Sequence, residues 1–168
     1  MNNDYKKKIA LCVLYALCCL SVTVMIFTII KAKNDKDALT HPEFELSAAT
    51  GIPSVSEELG YSPIEVEQGY KAFVCSNLLA NGSEVDIYFT SPETNTVWLM
   101  LRITDEKGTI YGQTGIIRPG EYVKTLTLNT VPVNEKNVKL KIIAYKPETY
   151  TSMGTVGLNT KLRIGGKR

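Results

Sequence analysis

From Ile9 to Ile30 the chain reads IALCVLYALCCLSVTVMIFTII, a run of 22 residues with no charge, no proline and no glycine. As a helix it would rise roughly 33 Å, close to the roughly 30 Å hydrocarbon layer of a bilayer. A helix packed into a water-soluble core normally keeps one polar stripe, and this run has none. The expectation is a single transmembrane helix over residues 9–30, with the lipid bilayer as its partner. Lys6, Lys7 and Lys8 precede the run, as they would in a cleaved secretory signal. Two features disfavour cleavage. The run exceeds the roughly 7 to 15 residues of a signal's apolar region, and Lys31, Ala32, Lys33, Asn34 and Asp35 follow it without a small-x-small site. An uncleaved signal-anchor is expected.

Lysines alone do not orient the segment, because Lys6, Lys7 and Lys8 on one side are matched by Lys31, Lys33 and Lys36 on the other. The brevity of the tail at residues 1–8, its free amine and the long chain downstream break the tie. The expected arrangement is a cytoplasmic N-terminus, one pass through the plasma membrane and an extracytoplasmic remainder. Cys12, Cys18 and Cys19 fall within the run, where thiols act as small apolar side chains. Cys75 then has no partner outside it, so the outer part is expected to fold without a disulfide.

Residues 31–69 read as a linker. Pro42, Gly51, Pro53, Gly60 and Pro63 interrupt them, and periodicity is weak. From Ala38 to Gly69 the charges are Glu43, Glu45, Glu57, Glu58, Glu65 and Glu67, with no Lys or Arg. As a flexible coil such a tether would average roughly 34 Å end to end. A brief helical turn around Glu57 and Glu58 would be stopped by Gly60 and Pro63.

Residues 70–168 read as β. YKAFVCSN, EVDIYFT, TVWLMLRI, GTIYGQTGII, YVKTLTL, NVKLKIIAY and GTVGLNTKLRI are rich in β-branched and aromatic residues and are separated by turn clusters. Val97, Leu99, Leu101 and Ile103 share one face of a strand, as do Val138, Leu140, Ile142 and Ala144. The opposite faces carry Arg102 and Thr104, and Lys139 and Lys141. Asn81-Gly82, Asp105 to Gly108 and Pro119-Gly120 suit tight turns. The chain as a whole is expected to be mainly β: the N-terminal helix, the linker, then an antiparallel β-sandwich of six or seven strands, immunoglobulin-like or jelly-roll-like.

Catalytic chemistry finds little purchase. His41 is the single histidine and lies in the linker, so neither a serine triad nor an activated Cys75 is expected. The His and Cys spacing of a zinc site and the acidic loop of a calcium site are missing, and no metal or cofactor is expected. Asp86, Glu93, Glu121 and Glu148 are available for a hydrolase only if the fold brings two of them together. The overall charge of +2 argues against nucleic acid as a partner. Residues 70–168 nonetheless hold 13 Lys and Arg against 8 Asp and Glu. Lys139, Lys141 and Arg163 would form a basic face if their strands are neighbours, and Trp98, Tyr145 and Tyr150 are the aromatic candidates for a binding surface.

SPETNTVWLMLRI, GIIRPGEYVKTLTL and YKPETYTSMGTVGLNTKL together resemble a group of small, uncharacterised Gram-positive (Firmicute-like) membrane proteins. The resemblance spans roughly residues 70–164. It implies one N-terminal span and an extracytoplasmic β domain, and brings no catalytic residue with it. The reading that follows is a non-enzymatic binding or structural module of the cell envelope, meeting a protein partner or an anionic or carbohydrate wall polymer. The alternative is a small envelope hydrolase built on the carboxylates named above.

Overall fold

A computed structural model describes residues 3–34, 41–66 and 69–165. Residues 1–2 of the expected tail, residues 35–40 and 67–68 of the expected linker, and residues 166–168 with the terminal cations Lys167 and Arg168 lie outside that set. The chain divides into two units, Met1–His41 and Pro42–Arg168.

The first unit is one helix, α1, over Asn3–Asn34. It has no Pro or Gly to break it. Every side chain described between Lys8 and Met25 is exposed. Ser21 and Thr23 donate their hydroxyls to the carbonyls of Cys18 and Leu20, both at 2.8 Å. Among the described residues no helix is long and apolar enough to cross a membrane. The uncharged run also takes in Ala10, Val24 and residues 26–30, whose side chains are outside the described set.

The second unit is mainly β. Its strands are β1 Ala49–Thr50, β2 Tyr61–Glu65, β3 Lys71–Cys75, β4 Leu78–Asn81, β5 Glu84–Thr90, β6 Trp98–Thr104, β7 Ile110–Gln113, β8 Glu121–Thr127, β9 Lys136–Tyr145 and β10 Ser152–Ile164. All belong to one hydrogen-bonded sheet in the order β1-β8-β5-β4-β10-β9-β6-β7, with β2 and β3 branching from β5. The pairs are antiparallel except β10 with β4, which run parallel through Leu162↔Leu78 and Ile164↔Ala80. The expected sandwich of six or seven antiparallel strands is thus a single curled sheet of ten strands with one parallel pair. The sheet curls until β7 meets β8. Asn129 N–H donates to the Tyr111 carbonyl at 2.7 Å, and a Cβ on Gly112 would fall 2.8 Å from Leu126 Cδ2. Any larger residue at Gly112 would prise the two strands apart.

The core sits inside the curl. Leu99 faces Ala144, Leu101 faces Ile142 and Ile103 faces Leu140 across the β6–β9 ladder, and all six are buried. The two alternating series therefore meet as their period requires. Phe89, Ile87, Val85, Leu78, Val74 and Leu162 complete the cluster from the other strands. Cys75 is buried as well, and no cysteine is bonded.

The β unit begins well before Tyr70. Residues 42–65, read from sequence as tether, are built into it. Phe44 bridges to Ile116, β1 pairs with β8, and β2 pairs with β3 over five residues. Pro63 hid β2 from the sequence reading, because proline is tolerated on an edge strand and disfavoured in an interior one. The acids of this stretch are engaged too. Glu65 pairs with Lys71 at 2.7 Å. Glu45 accepts from Gly115 N at 2.7 Å and from the Ser47 hydroxyl and amide. Burial raises the Glu45 pKa, but the bonds from Ser47 and Gly115 outweigh it and hold the carboxyl below its ordinary value.

Candidate functional site

Alternation along β9 and β10 decides which side chains reach the outer face. Val138, Leu140, Ile142 and Ala144 point inward, so Lys139 and Lys141 point out. On β10, Leu162 is in the core, which leaves Asn159, Lys161 and Arg163 on the outside. The register then sets Asn159 opposite Lys139 and Lys161 opposite Asn137. Arg102 of β6 lies across from Lys141 on the other side. Five cations from three neighbouring strands therefore share one face.

A groove of about 620 Å³ runs over this face, with Lys139, Lys141 and Lys161 along it and the Asp105–Glu106 hairpin at its rim. Asn137 and Asn159 supply neutral hydrogen-bonding groups, while the Thr160 hydroxyl is turned to the Ser76 carbonyl. The stem of Lys139 lies over Gly157, where a Cβ would sit 2.2 Å from Lys139 Cε. Asp105 is already neutralised. Its carboxylate accepts from Thr109 N at 2.8 Å and faces Lys136 Nζ at 3.4 Å, and these partners, the Thr109 bond foremost, hold its pKa below the usual value. Lys136 also donates to the Tyr111 hydroxyl, and that bond, with Asp105 behind it, raises the lysine's pKa. Lys161 pairs with Glu135 at 3.1 Å across an exposed surface. Lys139 and Lys141 form no ion pair among the described residues. Among those residues they are the cations of the groove without an ion pair, and Glu106 at the rim is likewise unpaired.

Arg163 shares the face but does not line the groove. It stands opposite Leu79 of β4, beyond the end of the β9 ladder.

At the other end of the same face the aromatic candidates gather. Trp98 packs edge-on against Tyr150, with ring centroids 5.2 Å apart, and against Phe44 at 4.9 Å. The Arg118 guanidinium lies 3.7 Å from the Phe44 ring centroid. Tyr145 is the register partner of Trp98 on β9 and is half-buried. Phe44 arrives on the strap of residues 43–45, which is bonded on both sides of Ile116 through Glu45 N to Ile116 O at 2.9 Å and Ile116 N to Glu43 O at 2.8 Å. Tyr150 is held at φ 54°, a costly value for an aromatic residue, by a turn in which its N–H donates to Lys146 O at 3.0 Å. The rings therefore cover one another in a knot, not the open platform that stacking on a sugar requires. Phe44 and Arg118 carried no local signal in the sequence. Only the strap and the turn at Pro119 bring them to Trp98.

The carboxylates considered for hydrolysis have different surroundings. Glu121 is tied to Arg118, accepting from its amide at 2.7 Å. Asp86 lies close enough to the Cys75 thiol to act on it electrostatically. Glu148 is exposed on the 147–149 turn. Glu93 lines a cleft on a different part of the sheet. Burial, with Asp86 adding to it, pushes the Cys75 thiol up to about 12, which leaves it inert as a nucleophile. No cluster of His, Cys, Asp and Glu fit for a metal ion is present among the described residues.

No protein-family model matches the chain, and no curated protein matches it either. Its function has to be read from its own residues.

Proposed function

We propose that the chain is a membrane-anchored, extracytoplasmic binding module whose β unit holds an anionic polymer of the cell envelope along β9 and β10. The anchor is the uncharged run 9–30 within α1, apolar on every side, so that no single protein surface would cover it. The hydroxyls of Ser21 and Thr23 are turned back onto backbone carbonyls, the arrangement that lipid demands of polar groups. The resemblance to single-span Gram-positive proteins supports the same location, with the N-terminus inside and the β unit outside.

The binding reading rests on one observation. Lys139 and Lys141 line a groove with Asn137 and Asn159 beside them, and of the two rim acids Asp105 is paired with Lys136, so that Glu106 is the one acid set against two lysines unpaired among the described residues. A polymer of repeating negative charge and hydroxyls meets both kinds of group there. The role is binding, not catalysis, and it needs no cofactor.

The test uses the full chain in detergent and a soluble polyphosphate as probe. Binding is expected to weaken steeply with added salt. Lys139→Glu with Lys141→Glu is expected to lower affinity by more than about tenfold, while Arg163→Gln, outside the groove, lowers it about twofold. An unchanged affinity in the double variant, or equal binding of a neutral polysaccharide, overturns the proposal. Protease treatment of intact cells checks the orientation, since a β unit that survives there but is digested in inverted vesicles refutes it.

A further inference from the structure

A second cleft, of about 380 Å³, lies away from the cationic groove where β2, β3 and β5 meet the start of β8. Its volume falls at the lower end of the roughly 300 to 1,000 Å³ of small-molecule sites. Tyr61 and Phe73 form one wall, stacked diagonally across the β2–β3 ladder with centroids 5.5 Å apart and ring planes inclined by 23°. Tyr61 is pinned there, since its hydroxyl donates to Thr90 Oγ1 at 2.8 Å and Thr90 donates onward to the Tyr88 carbonyl at 3.0 Å.

Three backbone donors of the facing wall, those of Gly51, Ser91 and Gly120, are spent. Gly51 N donates to Gly120 O at 2.9 Å, Gly120 N to Ser91 O at 2.8 Å and Ser91 N to Glu121 O at 2.9 Å. Glu93 is the one charged side chain among the lining residues. At the lip stands Ile52, 92% exposed, a large apolar side chain left in water beside an apolar hollow.

We propose that this cleft binds an organic ammonium group carried on an apolar body. An anion would face Glu93 and find the backbone N–H groups of Gly51, Ser91 and Gly120 already bonded. A neutral sugar needs several free donors and acceptors, which those satisfied walls withhold. A cation gains twice, from the negative ring faces of Tyr61 and Phe73 and from the Glu93 carboxylate, while Ile52 covers its hydrocarbon part. The ligand preference is opposite in sign to that of the β9–β10 groove, so the two sites stand or fall separately. The ammonium has two sources, a free amine or the lysine side chain of a peptide.

The test is a titration of the ¹⁵N-labelled full chain in detergent with 2-phenylethylammonium, its neutral isostere 2-phenylethanol, and a short lysine peptide beside its acetylated form. The amides of Gly51, Thr90 and Gly120 report binding. The ammonium is expected to saturate at least about fivefold below the alcohol, and Glu93→Gln to erase that preference. Ile52→Ala, which removes a side chain that supports nothing in the free protein, weakens both compounds alike by about threefold. Saturation by the lysine peptide and not by the free amine assigns the site to a protein partner, and the reverse assigns it to a small molecule. Equal affinity for ammonium and alcohol, an unaltered preference in Glu93→Gln, or no saturable shift at the three amides overturns the proposal.

Discussion

The helix and the sheet spend similar apolar residues in opposite ways. In α1, Leu11, Leu14 and Leu20 are 66%, 61% and 65% exposed, whereas Leu99, Leu101 and Leu140 of the sheet are 0% exposed. The difference comes from patterning. A strand that alternates has one face to hide, and a sheet that curls on itself hides it. A helix apolar all round has no face to prefer, so no single surface of its own chain satisfies it. The proposed membrane anchoring would supply an apolar medium for it.

Three substitutions break or sharpen this contrast. Leu101→Ala carries the largest expected effect, a loss of about 2 to 5 kcal/mol of β-unit stability by denaturant unfolding of the full chain in detergent. Leu14→Ala in α1 should leave that transition where it was. If both variants shift it equally, the division of labour between the two units is wrong. Leu20→Arg, near the middle of the apolar run, adds about 2.5 to 3.5 kcal/mol to the cost of membrane insertion. Cell fractionation should then show the chain moving toward the supernatant, and full retention in the membrane pellet would count against the anchor.

Glu45→Gln tests the strap that brings Phe44 to Trp98, and the expected loss at pH 7 is about 1 to 2 kcal/mol. The pH dependence has a definite sign. The Glu45 carboxyl titrates lower in the folded chain than its ordinary value of 4.5, so its contribution is present above that value and lost as pH falls through the folded pKa. Wild type and variant should therefore converge in acid, and a gap that widens there would refute the assignment. Tyr150→Ala is expected to cost less, about 0.5 to 1.5 kcal/mol, through the lost edge-on contact with Trp98. Because Ala inherits the positive φ of Tyr150, Tyr150→Gly should be the milder of the two, and the pair separates ring packing from backbone strain.

Much of the sheet was legible because its pattern is local. The seven runs from YKAFVCSN to GTVGLNTKLRI correspond to β3 and β5 through β10, and the turn glycines Gly82, Gly108 and Gly120 all adopt positive φ. β4 escaped because Leu78–Asn81 is four residues long, too few to show a period between two turns. β2 escaped behind Pro63, and the strap at Phe44 behind its lack of any repeat. The acidic stretch misled for a related reason. Glu45 and Glu65 look like solvated charges until a backbone amide from Gly115 and an ammonium from Lys71 are seen beside them.

Sequence by itself determined the helix, its uncharged span, the alternating core faces and the outward direction of Lys139 and Lys141. Each of these depends on spacing along one segment, where backbone geometry alone carries the residue to its side. Tertiary structure decided the rest: that Lys161 lies by Lys139 and Arg163 beyond them, that Phe44 and Tyr150 close over Trp98, and that Glu93 shares a cleft with Tyr61 and Phe73. Those neighbours come from distant parts of the chain, and their meeting is set by strand register and curl, which are fixed only when the whole apolar face is buried at once.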